Sequence, residues 1–130
     1  MPFSLYTRNK VLELVHGKTA FTLPTAYMAL SMTTPNGTDG NVTEPVGNSY
    51  ARVATSGATW TSAASGAIDS AASITWPTAT GSWGTVTHVC AYDASSGGNL
   101  LWWDDLATSQ AIASGVTFSI PAGSADFSLT

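Results

Sequence analysis

The chain has 130 residues, 44% of them hydrophobic and only 9% charged, with a net charge of −4. Its length suits one domain with a single core, and its composition excludes disorder, which needs high charge and few apolar residues. Four basic residues are too few for phosphate binding, and no apolar run is long enough to span a membrane, so we expect neither nucleic acid nor a membrane as a partner. No signal-peptide pattern is present, so we expect synthesis in a cytoplasm.

The first predicted element is a helix from Ser4 to His16. Ser4 is a favourable N-cap and Gly17 is a natural stop. The apolar stripe of the helix comprises Leu5, Val11, Leu12, Leu14 and Val15. Its other face carries three charged side chains, Arg8, Lys10 and Glu13. Because three of the four cations lie within the first 18 residues, we predict a helical segment (residues 1–17) that docks on an acidic partner, followed by one β-domain (residues 18–130).

A strand, a long loop and a second strand are predicted next. Residues 26–32 favour a buried strand, and residues 33–49 form a polar loop with two Pro and three Gly. Residues 50–54 are typical of a strand and contain Arg52. Two interpretations of Arg52 stay open: its side chain lies towards solvent or pairs with a local acid, or it contacts a docking partner.

The stretch from residue 55 to residue 72 is rich in Ser, Ala and Gly and predicts at most a weak strand. Trp60 lies there among small residues, so we expect it to be the most exposed of the five tryptophans. Residues 73–77 predict a short strand ended by proline. Several tryptophans could form a platform for sugar rings, but core packing is the simpler interpretation of Trp102 and Trp103, whose side chains point to opposite sides of a strand.

The centre of the predicted fold is a β-hairpin from Thr85 to Trp103. Residues 85–92 are rich in Val, Thr and Tyr, residues 93–98 favour a turn, and residues 99–103 form a second apolar strand. Neither strand alternates cleanly between apolar and polar residues, so both faces of the hairpin should be covered. We expect Cys90 to be a buried structural thiol and His88 to be hydrogen-bonded in or near the core.

Apolar residues also alternate near the end of the chain, at Val116, Phe118 and Ile120 and again at Phe127 and Leu129. Short strands separated by Gly, Pro and Ser predict a mainly β fold, an antiparallel β-sandwich or jelly roll with one short N-terminal helix. No repeat of fixed period is present, which argues against a solenoid or a propeller.

No residue pattern predicts catalysis, a metal site or a cofactor. Asp104 and Asp105 are neighbours near a strand end, where their side chains diverge, so they suit a solvated sheet edge better than a catalytic pair. Two histidines and one cysteine give no metal-binding spacing, and no GxSxG, phosphate-loop or dinucleotide motif is present. We therefore predict a non-enzymatic protein without cofactors.

The run GSWGTVTHVCAYDASSGGNLL, residues 81–101, resembles the signature of small tailed-bacteriophage virion proteins, which are often labelled tail fibre proteins. The resemblance extends to the N-terminal helix, the Thr-Thr-Pro exit of the first strand, the passage from Glu44 to Arg52 and the late Ser-Gly-Val-Thr-Phe segment. It implies a virion location and a structural role, with no catalytic residues to carry over. The sequence departs from the family pattern at residues 102–105, Trp-Trp-Asp-Asp, and at Gln110.

The resemblance leaves the position within the virion open. A compact chain without shaft repeats or heptads favours a capsid decoration (cement) protein that docks on the shell as an oligomer. The alternative is a tail-fibre or adaptor module for host attachment, which could bind carbohydrate. A surface poor in charge predicts a homo-oligomer bound to other virion proteins, and the decoration interpretation favours a trimer. On either interpretation, we expect removal of residues 1–17 to leave a folded domain that no longer binds particles.

Overall fold

The computed structural model describes residues 3–22, 25–36, 38 and 40–129, which form one α-helix and eight β-strands. Helix α1 spans Leu5–Val15, and a 3-10 turn spans Gly57–Thr59. The strands are β1 (Tyr27–Ser31), β2 (Val53–Ala54), β3 (Ala67–Asp69), β4 (Ile74–Thr75), β5 (Gly84–Tyr92), β6 (Leu100–Ile112), β7 (Ser119–Ile120) and β8 (Asp126–Ser128).

The strands form one central sheet and two ribbons, all with antiparallel pairing. The central sheet has the order β2-β1-β5-β6, and the ribbons are β3–β8 and β4–β7. The predicted mainly β, antiparallel class with one short helix is confirmed. The sandwich or jelly roll is not confirmed, because the layer over the sheet consists of two separate ribbons and the described sheets are not closed.

Helix α1 has the ends that the sequence predicts. The Ser4 hydroxyl accepts a hydrogen bond from the Thr7 backbone N–H at 3.1 Å, which satisfies one of the first-turn donors that lack a helical partner. At the other end, His16 is the C-cap, and its Nδ1 lies 2.8 Å from the Leu12 carbonyl oxygen. Gly17 follows at φ +66°, a conformation that glycine adopts without strain, so the chain leaves the helix there.

The central hairpin is confirmed, although its second strand is longer than predicted. Strand β5 pairs with β6, and β6 continues past Trp103 to Ile112. The register shifts between two pairs, Val86 with Gln110 and His88 with Asp105. Between these pairs β5 contributes only Thr87 whereas β6 contributes residues 106–109, so β6 bulges there. Asp104 and Asp105 therefore lie within a strand, not at its end.

The central sheet is covered on both faces, as the hairpin sequence predicts. The main core joins one face to the ribbons and includes Met28, Leu30, Val89, Trp76, Ile120 and Phe127. On the other face lies a smaller cluster of Ala29, Cys90, Tyr92 and Leu100, against which Val42 from the long loop packs. The expectation of a buried Cys90 is confirmed, since its side chain is fully inaccessible.

The long loop is held against the end of β1 by hydrogen bonds. The Met32 N–H donates to the Thr43 carbonyl at 2.8 Å, and the Thr33 hydroxyl donates to the Asn41 carbonyl at 2.7 Å. The predicted loop over residues 33–49 is thus confirmed for the part that is described, and its positions 37 and 39 lie outside the described residues.

Several predicted strands are shorter than expected. Within predicted residues 50–54 the strand is only Val53–Ala54, and within residues 73–77 it is only Ile74–Thr75. Of the alternating stretch from Val116 to Ile120, only Ser119–Ile120 is a strand. Each of these strands pairs over only two positions, because Gly, Pro and turn residues interrupt the neighbouring chain. Val116 is consequently exposed although Ile120 on the same predicted face is buried.

Candidate docking surface

Helix α1 exposes much of its apolar surface. Thr7 is its only buried residue, whereas the side chains of Leu12 and Val15 are 57% and 68% exposed. Four of the large hydrophobic residues that are exposed in the described chain belong to this helix: Leu5, Leu12, Leu14 and Val15. A helix normally buries its apolar stripe, so this one leaves uncovered a surface that suits contact with another protein.

The start of helix α1 is attached to the sheet. Phe3 forms a β-bridge with Trp102, and the Ser4 N–H donates to the Leu101 carbonyl at 3.0 Å. Tyr6 packs against the main core and meets Phe21 edge-on, with ring centroids 6.3 Å apart. The first turn is therefore attached to the fold, although Leu5 there is exposed, and the later turns carry the exposed Leu12, Leu14 and Val15.

The predicted docking residues of α1 lie beside this apolar surface. Arg8 is exposed, whereas Lys10 and Glu13 are half-buried. The Lys10 Nζ lies 5.7 Å from the centroid of the Tyr6 ring, within cation–π range. Lys18, just beyond the helix, is exposed. This end of the molecule carries three cations against one acid, while the rest of the chain is acidic.

Arg52 lies in a network of contacts with Glu44, Tyr50, Tyr92 and two carbonyls of the β5–β6 turn. We call this network, with Arg52 itself, the Arg52 clamp. The Arg52 guanidinium makes two hydrogen bonds to the Glu44 carboxylate, from Nε to Oε1 at 3.0 Å and from Nη2 to Oε2 at 2.7 Å. Its Nη1 donates to the carbonyls of Ala94 and Gly97, each at 2.8 Å. The guanidinium carbon also lies 3.8 Å from the centroid of the Tyr92 ring. The sequence expectation that Arg52 pairs with a local acid is confirmed.

The clamp joins the long loop to strands β1 and β5 and to the hairpin turn. The Tyr50 hydroxyl donates to Glu44 Oε1 at 2.7 Å and accepts from the Leu30 N–H of β1 at 3.0 Å. Burial, reinforced by Glu44, raises the pKa of the Tyr50 phenol far above its ordinary value, so the phenol stays protonated. Burial alone would lower the pKa of Arg52, but the hydrogen bonds and charge of Glu44 outweigh it and raise that pKa. The guanidinium therefore keeps its charge.

Trp60 is half-buried, not the exposed aromatic that its sequence context predicted. Its ring packs against the main core, with its centroid 6.4 Å from that of Trp102 and 5.5 Å from that of Phe127. The small residues around Trp60 allow β3 and β8 to pair close by, and these strands bring Ile68 and Phe127 against the indole. Composition did not reveal this, because the covering residues come from distant parts of the chain.

Trp102 and Trp103 are both half-buried and lie on opposite faces of β6, as predicted. Trp102 packs on Phe127 with ring centroids 4.2 Å apart, in the main core. Trp103 belongs to the smaller cluster, where its ring lies 6.0 Å from that of His88. The two rings cannot form one flat platform for a sugar.

His88 is buried and hydrogen-bonded, as expected. Its Nδ1 lies 2.7 Å from the Thr87 hydroxyl, and its Nε2 lies 2.9 Å from Asp105 Oδ1. The contact with Asp105 is a pairing that sequence reasoning missed, because the bulge in β6 decides which residue faces His88. Asp104 accepts a hydrogen bond from the Asp105 N–H at 2.9 Å, so the two acids have different partners.

Comparison with protein families identifies the family of this chain. Residues 2–128 match the family described as podophage GP4 fiber I protein gp80. The chain belongs to this family. A search of curated proteins finds no match. Membership of the podophage fiber family places the chain among phage virion structural proteins, and the virion location that the sequence predicted is confirmed.

Two further observations describe this family member. Within the described residues, no three His, Cys, Asp or Glu side chains are grouped closely enough to hold a metal ion. Helix α1, the one α-helix in that part of the chain, is too short to cross a membrane, and no other candidate span is found there.

Proposed function

We propose that the chain is a non-enzymatic structural subunit of a podophage fibre, held in the virion through helix α1. The match of residues 2–128 to a podophage fiber family carries this proposal. Helix α1 supports it, because an apolar surface left exposed on one subunit is typical of a surface that is covered in an assembly.

The docking contacts would come from the exposed turns of α1. Leu12 and Val15 supply apolar area, the cations Arg8 and Lys10 favour an acidic neighbour, and Glu13 would pair with a basic group of that neighbour. Arg52 would act indirectly, since its guanidinium already binds Glu44 and the carbonyls of the hairpin turn. Homo-oligomerisation is part of this proposal.

Capsid decoration is the second candidate. The compactness of the domain favours it, since the described chain has short paired strands and no elongated shaft. Under this alternative, three copies would meet at a three-fold position of the shell.

Localisation on intact particles tests both candidates. Gold-labelled antibody against the purified chain, viewed by electron microscopy, should label the tail region if the fibre proposal is correct. Label spread over the shell would instead support decoration. Particles that carry no label after mild detergent or heat opening would contradict both, and antibody binding to the purified chain is the control.

Point variants suit the docking test better than the removal of residues 1–17. Phe3 and Ser4 pair with β6, so truncation would also uncover the sheet edge at Leu101. The variant Leu12→Ser/Val15→Ser changes only exposed side chains. We expect it to fold and to be depleted from particles by about tenfold or more. Val46→Ser, at an exposed residue of the long loop, is the matched control and should be incorporated normally.

Absence of catalysis is a further part of the proposal. The contact of His88 with Asp105 resembles an acid–base pair, so these residues are where an activity would be sought. We expect His88→Ala and Asp105→Ala to change stability without removing any turnover. Depolymerisation of host polysaccharide by the purified chain, lost in both variants, would contradict this.

Carbohydrate binding is the alternative for Trp60. Sugar stacking needs an open aromatic face, and this indole is packed on Trp102 and Phe127. We therefore expect no glycan-array binding above that of an unrelated protein. Binding that quenches tryptophan fluorescence and is lost in both Trp60→Ala and Trp60→Leu would favour a sugar-binding module.

A further inference from the structure

A furrow runs along the molecule between β6 and the β3–β8 ribbon. Three adjoining cavities form it, of about 260, 190 and 250 Å³. The first two share Ile68, Trp102 and Phe127, and Phe127 also lines the third. The floor is therefore a continuous aromatic and aliphatic surface.

The two ends of this furrow differ in charge. The end beside Phe3 and Leu129 is apolar. The other end is lined by Asp104, Asp105 and Asp126, and no lysine or arginine is among the described residues that line any part of the furrow. Of these three acids, Asp105 is the one that contacts the imidazole of His88.

Helix α1 has the complementary chemistry. Its exposed side combines Leu12 and Val15 with the cationic side chain of Arg8, and the exposed Lys18 follows just beyond the helix. None of the helix residues lines the furrow of its own chain, where Phe3 is the only described contributor from the N-terminal segment. Helix and furrow are thus separate surfaces of one molecule.

We propose that α1 of one copy docks in the furrow of a second copy. This inference deepens the docking role proposed above and rests on it. Charge complementarity selects this occupant, because two chains of net charge −4 repel each other except where the cationic helix of one meets the acidic furrow end of the other. The apolar floor then covers the exposed leucine and valine side chains of the helix.

The contact joins two different patches, so it is heterologous. Each copy offers one helix and one furrow, and repetition of the contact either closes a ring or continues as a filament. A parallel, symmetric seam between two α1 helices is less favourable, because it would bring equivalent cations of the two helices together.

A charge swap tests the contact with the full-length chain. The first variant is Arg8→Glu/Lys18→Glu, which makes the exposed side of the helical segment acidic. The second is Asp104→Lys/Asp126→Lys, which makes the furrow end basic. Sedimentation velocity at several protein and salt concentrations measures self-association of each variant and of an equimolar mixture.

We expect the wild type to self-associate less as salt rises, and each variant alone to associate at least about tenfold more weakly. The mixture should regain association, since each helix then finds a furrow of opposite charge in the other variant. Ala113→Lys/Ser114→Lys, at an exposed turn outside the furrow, adds positive charge as a control and should behave like the wild type.

Three results would overturn the inference. They are a wild type that stays monomeric at about millimolar concentration, a mixture that regains nothing, and furrow variants that associate normally while helix variants do not. If Asp104→Lys/Asp126→Lys fails to fold by circular dichroism, Asp104→Asn/Asp126→Asn replaces it and should weaken association. Because the test uses purified protein, its failure is separate from a failure to find the chain in the fibre.

Discussion

The cations of this chain lie in two regions, the α1 segment and the Arg52 clamp, and their surroundings differ. Arg52 is almost enclosed, and Glu44, two carbonyls and an aromatic ring surround its guanidinium. In the α1 segment, Arg8 and Lys18 lie at the surface near exposed leucine and valine side chains, and Lys10 is half-buried. Cationic side chains therefore stabilise the fold in one region and lie at an exposed surface in the other.

Enclosure makes the difference. A buried charge is costly unless it is paired and hydrogen-bonded, so removing its partner exposes that cost in full. An exposed charge is screened by solvent and contributes little to the stability of its own chain. Substitutions in the Arg52 clamp should thus act on folding, and substitutions in α1 should act on association.

The largest effect is expected for Arg52→Ala. It leaves Glu44 without its cation and frees the hairpin turn, and we expect unfolding free energy to fall by about 3–5 kcal/mol. Urea denaturation followed by tryptophan fluorescence measures this. Arg52→Lys keeps the charge but loses the two-bond geometry, and should recover only part of the stability. A loss below about 1 kcal/mol in Arg52→Ala would mean that the pair is not enclosed in solution.

A smaller effect is expected for Tyr50→Phe. The Leu30 N–H would lose its acceptor and Glu44 would lose one donor, at a cost of about 1–3 kcal/mol. A double-mutant cycle with Glu44→Gln measures the coupling between the two side chains. Strictly additive losses would contradict a shared network.

The pKa of the Cys90 thiol depends on burial and on the charges of Glu44 and Arg52 in the clamp. Burial raises the pKa of Cys90 from 9.0 to about 12, with Glu44 adding to the rise and Arg52 opposing it. The unfolded chain therefore ionises first, so the thiol contributes full stability below pH 9 and loses it as pH rises from 9 towards 12. At pH 10 this loss is about 1.4 kcal/mol.

The measurement compares unfolding of the wild type and Cys90→Ala at pH 8 and pH 10. The wild type should lose more stability than the variant over this interval. Labelling by a thiol reagent should also be slow in native protein at pH 8 and faster in Arg52→Ala. Equal pH dependence in the two proteins would show that the thiol is accessible in the folded state.

The smallest effect on folding is expected for the exposed side of α1. Leu12→Ser/Val15→Ser and Arg8→Glu/Lys18→Glu should each change unfolding free energy by no more than about 0.5–1 kcal/mol, measured at a protein concentration where the chain is monomeric. A loss of unfolding free energy as large as that of Arg52→Ala would show that the whole helix is packed in the core. The contrast between the two regions would then be wrong.

Local signals in the sequence predicted local structure well. Ser4 and Gly17 marked the ends of α1, and the Val- and Thr-rich run predicted β5. Pairing over distance was harder to predict. The partner of Arg52 lies across a loop, the partner of His88 depends on a bulge, and the cover of Trp60 comes from β8.

The furrow could not be predicted from the sequence either, because it also depends on contacts between distant residues. Phe3, Ile68, Trp102 and Phe127 are scattered along the chain, and they meet only through the bridge of Phe3 to Trp102 and the ribbon β3–β8. The apolar positions of α1 were visible in the sequence, but a stripe alone does not say whether it faces inward or outward. That direction follows from Phe3 and Ser4, which fix the first turn against β6.

The bulge in β6 has a consequence for solubility. An edge strand with few charges invites another strand to add alongside it, and repeated addition leads to amyloid-like stacking. In β6, the bulged residues 106–109 break the straight row of backbone donors and acceptors, and Asp104 and Asp105 precede that break. The part of the sheet edge that Phe3 and Ser4 leave uncovered would thus be kept from pairing indiscriminately with other chains.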